Sequence, residues 1–187
     1  MSKNYLAYTL LVLATFFWSG NFIIGKFAYL FEVPPLTLNF LRWASVWIIL
    51  IPFTYKNIYK NLKIVKKYWL VISFMGIITI SMFNSVVYYA LNYTQVINAV
   101  LVLAAIPVAT IVLSSLMNVE RTNIFQLFGL FLSIIGIAII ISNADIQRII
   151  SLSFNKGDLW MLVCVFTWAT YSTLLKKFKF PFSQFSL

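Results

Sequence analysis

Residues 68–119 read YWLVISFMGIITISMFNSVVYYALNYTQVINAVLVLAAIPVATIVLSSLMNV, 52 residues without one charged side chain. A membrane-spanning helix needs about 20 apolar residues, so this gap holds two. The polar break Asn92-Tyr-Thr-Gln near its middle is too short for anything but a tight hairpin. It sets helix three at residues 68–91 and helix four at residues 95–117. Pro107, inside helix four, removes one backbone hydrogen bond and predicts a kink nearby.

The same logic extends outward. Helix one covers residues 6–29 and is retained rather than cleaved, because its uncharged run is longer than a signal peptide's and no small-x-small cleavage site follows. Glu32-Val-Pro-Pro turns the chain into helix two, residues 37–54. Beyond the gap, Thr122 or Asn123 can cap helix five, residues 124–142, and helix six covers residues 158–175. The loop between them, residues 144–156, has room for a short interfacial helix at residues 146–152, with Arg148. The fold class is thus an all-α integral membrane protein with six transmembrane helices: one five-helix unit (residues 1–143), a loop, and the first helix of a second unit (residues 157–187).

Composition agrees. With 62% hydrophobic and 10% charged residues and a mean hydropathy of +0.94, the chain cannot hide its apolar surface in a soluble core. The net charge of +10 does not point to nucleic acid, because the positive residues cluster at the ends of apolar spans. Ten Lys and Arg fall on one side (Lys3, five in the loop after helix two, Arg121 and three after helix six), against Arg148 and Lys156 on the other. By the positive-inside rule the amino terminus is cytoplasmic in a multi-pass protein of the cell membrane.

Chemistry is sparse. Histidine is absent and Cys164 is the lone cysteine, inside an apolar run, so neither a histidine-based metal site nor a disulfide within one chain is available. No carboxylate lies in any span, and no acid, thiol or imidazole constellation suggests an enzyme; no cofactor is expected.

Intramembrane polar residues are therefore the candidates for function. Ser19, Gly20, Asn21 and Gly25 sit among Phe, Trp and Ile in residues 15–26. Trp18 and Asn21, three apart, can face one cavity; the competing reading has Trp18 packing on its neighbours and Asn21 bonding another helix. Asn84 and Tyr88, at i and i+4, form a second polar pair, and Asn98 can join the same lining. Lys26 and Arg42 together can attract a carboxylate, although snorkelling to the headgroups is the commoner fate of such cations. Glu120 with Arg121 reads as a loop ion pair or cap. Gly129, Ser133 and Gly136 form a small-residue stripe suited to close helix contact.

Displacing the chain on itself by 150 residues aligns Phe16 with Phe166, Trp18 with Trp168 and Lys26 with Lys176. A proline follows each helix, Pro34 and Pro181. The two helices enter the membrane from opposite sides, as in the inverted repeats of many secondary transporters.

Trp18-Ser-Gly-Asn-Phe, Asn39-Phe-Leu-Arg42 and Tyr89-Ala-Leu-Asn-Tyr, followed in order by Ala99, Pro107, Glu120-Arg121, Gln126, Gly129 and Gly136, resemble the EamA-type carriers of the drug/metabolite transporter superfamily. The resemblance spans nearly the whole chain. It implies ten helices in two inverted five-helix repeats, a substrate cavity between them, and export or exchange of a small metabolite such as an amino acid. The second repeat would then lack four helices here, and the chain is expected to be inactive unless a second polypeptide or a second copy completes it. A non-transporting membrane subunit that regulates a partner is the alternative. In this repeat the resemblance and the alignment leave Asn21, which has no repeat counterpart, as the sharpest ligand candidate.

Overall fold

Helix starts and stops follow local chemistry. In the computed structural model, which describes residues 3–120, 123–142 and 155–180, every regular element is helical. The first span is α1, Lys3–Leu30. It ends with Glu32 in the left-handed region (φ 58°), where the Glu32 and Val33 amides donate to the carbonyls of Tyr29 and Ala28. Pro35 then opens α2, Pro35–Lys60, at a first-turn position where a missing amide hydrogen forfeits no bond. α2 runs past the expected residue 54, and α3, Leu62–Lys67, carries the rest of the lysine run as helix. Lysine is a good helix former, and neither Gly nor Pro interrupts residues 55–67.

The third span is one rod in three pieces: α4, Trp69–Gly76, a π-helical stretch, Ile77–Phe83, and α5, Asn84–Ala90. The fourth is α6, Val96–Leu103, and α7, Ile106–Leu116, broken at Ala104-Ala105. The break lies just before Pro107, not after it, because proline fits the first turn of the new segment. The fifth span is α8, Ile124–Ser142, which starts at the expected residue. Asn123 caps it, with the Asn123 amide donating to Gln126 Oε1 at 3.0 Å and the Phe125 amide to Asn123 Oδ1 at 3.4 Å. The sixth, α9, Lys156–Phe178, starts two residues early, since Asn155 and Asp158 form a reciprocal capping box. Among the described residues five helices are long and apolar enough to cross a membrane, and Ile124–Gly136 of α8 is a shorter apolar helix. The proposed interfacial helix at residues 146–152, Arg121, Thr122, Arg148 and Pro181 lie outside the described residues.

α9 is the central post, packed against α5, α6, α7 and the π-helical stretch. Its stripe Met161, Cys164, Val165 and Trp168, at helical spacing, meets Phe83, Val87 and Leu91 of the third span and Ala99, Val102 and Leu103 of α6. Ala90 and Ala99 are fully buried, and small side chains of this kind let backbones approach where lipid supplies no hydrophobic drive for association. Gly157 comes up against backbone: a Cβ there would stand 2.7 Å from the Ala90 carbonyl oxygen and 2.9 Å from the Thr94 amide nitrogen. Thr94 completes this junction by donating to Asp158 Oδ1 at 2.7 Å.

The small-residue stripe of α8 is a correction. A Cβ at Gly129 or Gly136 would meet nothing within 4 Å, and Ser133 is exposed. α8 touches α6, but among the described residues nothing stands close enough to either glycine to require its small size. Small residues permit close contact; they do not choose which face is turned inward.

Candidate functional site

Three spans converge on one guanidinium. Arg42, on α2, donates through Nη1 to Asn21 Oδ1 on α1 and to the Tyr88 hydroxyl on α5, and through Nη2 to Asn84 Oδ1 at 3.0 Å. The Tyr88 hydroxyl donates onward to Asn21 Oδ1 at 2.6 Å. Arg42 also lies 5.1 Å from the Trp43 ring and 5.8 Å from the Tyr88 ring, within cation–π range.

The π-helical stretch prepares this arrangement. Its wider turn displaces carbonyls from the ordinary i→i−4 ladder, and two asparagine amides collect them. Asn84 Nδ2 donates to the Thr79 carbonyl at 2.9 Å, while Asn39 Nδ2 donates to the Ile80 carbonyl and to Ser85 Oγ, each at 2.9 Å. Asn84 is thereby oriented with its oxygen toward Arg42. Tyr88 and Asn84 are 2% and 5% exposed, whereas Asn21 and Arg42 are half-buried, so a rigid buried floor carries a more accessible pair.

Every acceptor that Arg42 uses is neutral. Arginine stays protonated in proteins, and a charge within a membrane calls for pairing. The described carboxylates are elsewhere: Glu32 is exposed in the turn after α1, Glu120 pairs with Lys176, and Asp158 caps α9.

The two cations expected to snorkel both turn inward, for different reasons. Arg42 finds the asparagine and tyrosine acceptors. Lys26 Nζ donates to the carbonyls of Leu91 at 2.6 Å and Thr94 at 3.2 Å, closing the C-terminal end of α5, where the helix dipole favours a cation. The two therefore do not share a ligand pocket. Glu120 bonds Lys176 at 2.8 Å and thus ties the end of the fourth span to α9, a partner that the adjacent Arg121 had obscured.

Of the remaining candidates, Trp18 packs, its ring 5.8 Å from that of Trp168 and 6.2 Å from Phe22. Gly20 has open space where a Cβ would sit. Asn98 is half-buried on α6, outside the Arg42 cluster. The sequence places Gly25 among the intramembrane candidates without an assigned contact, and Asn39 only in the family resemblance; the structure brings both into this arrangement. A Cβ at Gly25 would stand 2.7 Å from Tyr88 Cδ1, so this glycine lets α1 reach the tyrosine that holds Asn21. No periodicity flags a π turn, and without it Asn39 has no visible partner in the sequence.

A groove of about 990 Å³ runs along α2 and is lined mostly by apolar side chains such as Phe40, Trp47 and Ile51, with Asn39, Thr54, Ser81 and Ser85. None of Asn21, Arg42, Asn84 or Tyr88 lines it. Asn39 Oδ1 and Trp43 Nε1 are buried beside it without hydrogen-bond partners among the described residues. The chemistry lies in the Arg42 cluster, next to this groove and not in it.

Comparison with known proteins supplies the context. Residues 5–142 match the EamA-like transporter family. The chain is similar to the "Uncharacterized transporter YyaM" of Bacillus subtilis, 31% identical over 104 residues, covering 56% of this chain and 34% of the relative. An "Uncharacterized transporter" of Archaeoglobus fulgidus is 30% identical over 178 residues, 94% of this chain and 58% of the relative. One from Clostridium kluyveri is 26% identical, covering 95% of this chain and 57% of the relative. The chain thus spans less than two thirds of these relatives' lengths. No solved structure matches it.

Proposed function

The chain belongs to the EamA-like transporter family, and from that premise we propose that it forms one wall of a carrier that exports a small metabolite, such as an amino acid, across the cell membrane. The observation that carries this reading is the Arg42 cluster: a charged donor within the spans, held by Asn21, Asn84 and Tyr88 and opposed by no carboxylate among the described residues. Intramembrane polar groups of this kind mark solute paths more often than scaffolding. Transport proceeds by rocking of this five-helix unit against a second one, with the amino terminus on the cytoplasmic side. The second unit begins at α9, and the rest of it comes from a second polypeptide, a second copy of this chain or further residues of the same protein. Residues 1–187 alone hold solute without moving it. The contact between Trp18 and Trp168, residues equivalent under the 150-residue displacement, fits two openings of related units meeting face to face.

Vesicle flux tests this. Residues 1–187 reconstituted alone are expected to give no counterflow of labelled amino acids above empty vesicles, while cells making the completed carrier resist toxic amino-acid analogues. Counterflow by the lone chain would remove the need for a second unit. A completed carrier that protects against none of a broad metabolite panel would remove the transport reading itself.

A further inference from the structure

Resting on that reading, we infer that the Arg42 cluster receives the carboxylate of an organic acid, and that an ammonium group on the same solute has no ionic partner there. The first ground is charge. Arg42 brings a full positive charge into the spans, and its three protein acceptors, Asn21 Oδ1, Asn84 Oδ1 and the Tyr88 hydroxyl, are all neutral. They satisfy hydrogen-bonding geometry but give the charge no counter-charge among the described residues, and in a low-dielectric setting an anion gains far more from such a site than a neutral solute does.

The second ground is the count of donors. A guanidinium has five N–H bonds, and here Nη1 uses two and Nη2 one. The Nε–H and one Nη2–H have no acceptor among the described residues, nor do the amide hydrogens of Asn21 Nδ2. These leftover groups belong to the half-buried members of the cluster, while the acceptors are committed and the floor of Asn84 and Tyr88 is buried. What Arg42 and Asn21 offer a visitor is donors alone, in the planar fork that a carboxylate fits with two oxygens.

The third ground separates carboxylate from phosphate and zwitterion. A phosphate dianion needs a second cation, and Lys26, the other cation at the spans, is held by the Leu91 and Thr94 carbonyls. A zwitterion gains nothing from its ammonium group, because the described carboxylates are tied to Lys176, to the α9 cap or to the exposed turn at Glu32.

Calorimetric titration of the full chain in lipid nanodiscs tests this with four probes of similar size: propionate, propionamide, alanine and inorganic phosphate. Propionate is expected to bind about tenfold tighter than propionamide, the ratio an ionic hydrogen bond adds over a neutral one, with alanine and phosphate no tighter than propionate. Arg42→Gln is expected to erase the difference, and Arg42→Lys to restore part of it. Because Arg42 ties three spans together, the comparison among probes on the unaltered chain stands even if the variants do not fold. Equal binding of propionate and propionamide, or no binding of propionate, overturns the inference. Tighter binding of phosphate or alanine overturns the assignment to a carboxylate alone. Flux of a neutral or cationic solute by the completed carrier, with propionate unbound, would leave the transport reading standing and this inference refuted.

Discussion

Gly25→Ala, compared with Gly20→Ala five residues earlier on the same helix, isolates one contact of the site. The added methyl at position 25 would meet Tyr88 Cδ1 at 2.7 Å, Cε1 at 3.0 Å and Leu91 Cδ1 at 3.1 Å. To restore ordinary contact at 3.4 Å or more, the ring must retreat by about 0.7 Å, the difference between those two distances. Tyr88 is 2% exposed and its hydroxyl is held by Arg42 and Asn21, so the ring has neither room nor freedom to move without breaking those bonds. Overpacking of this kind costs about 1–3 kcal/mol. At Gly20 nothing lies within 4 Å, and the alanine gains up to about 1 kcal/mol of helix propensity. Unfolding in mixed micelles, followed by far-ultraviolet circular dichroism, is expected to rank Gly20→Ala at or above the parent and Gly25→Ala below it by about 1–3 kcal/mol. Equal stabilities would show that α1 does not seat against Tyr88 as described, and the Asn21–Arg42 contact would fall with it.

Other consequences are independent of that contact. Lys26→Met removes a charged donor from the Leu91 and Thr94 carbonyls and is expected to destabilise the chain by about 1.5–3 kcal/mol in the same assay; a neutral result would return Lys26 to the headgroups. Glu120→Gln breaks an ion pair whose side chains are 55% and 47% exposed, so a loss of no more than about 1 kcal/mol, vanishing in high salt, is expected. Gly157→Ala places a methyl against the Ala90 and Thr94 backbone, which cannot swing aside as a side chain can; its stability should fall further than that of Gly129→Ala, which meets open space. Cys164 is fully buried in the α9 contact, so a maleimide should label the folded chain slowly and the unfolded chain at once, and fast labelling of folded protein would displace α9 from the centre.

Relations between neighbours in the chain were legible without coordinates. The charge-free gap of residues 68–119 implies paired spans, Pro34 and Pro35 mark the first turn, Pro107 implies a kink in the fourth span, and α8 starts at its expected residue. Asn21 stands out, as do Asn84 and Tyr88 as an i, i+4 pair, because polar groups are conspicuous in apolar runs. Each of these signals is local, resting on composition or on the backbone limits of one residue.

What only tertiary structure decided is which of these groups meet. In sequence Arg42 can either join Lys26 in attracting a carboxylate or, more commonly, snorkel, since nothing in residues 37–54 shows that Asn21, Asn84 and Tyr88, at separations of 21, 42 and 46 residues, present three oxygens to it. The rotation of α2 and the π turn at Ile77–Phe83 set that meeting, and a π turn changes facing by one residue without changing composition. Glu120 reads in sequence as a loop ion pair with Arg121 or a cap, whereas it bonds Lys176, 56 residues away, and Gly129 and Gly136 read as a contact stripe that α8 does not use among the described residues. The hydrophobic count that identifies a membrane helix is the same for every rotation about its axis. Only the packed neighbours choose one rotation, and that choice turns scattered polar residues into a site.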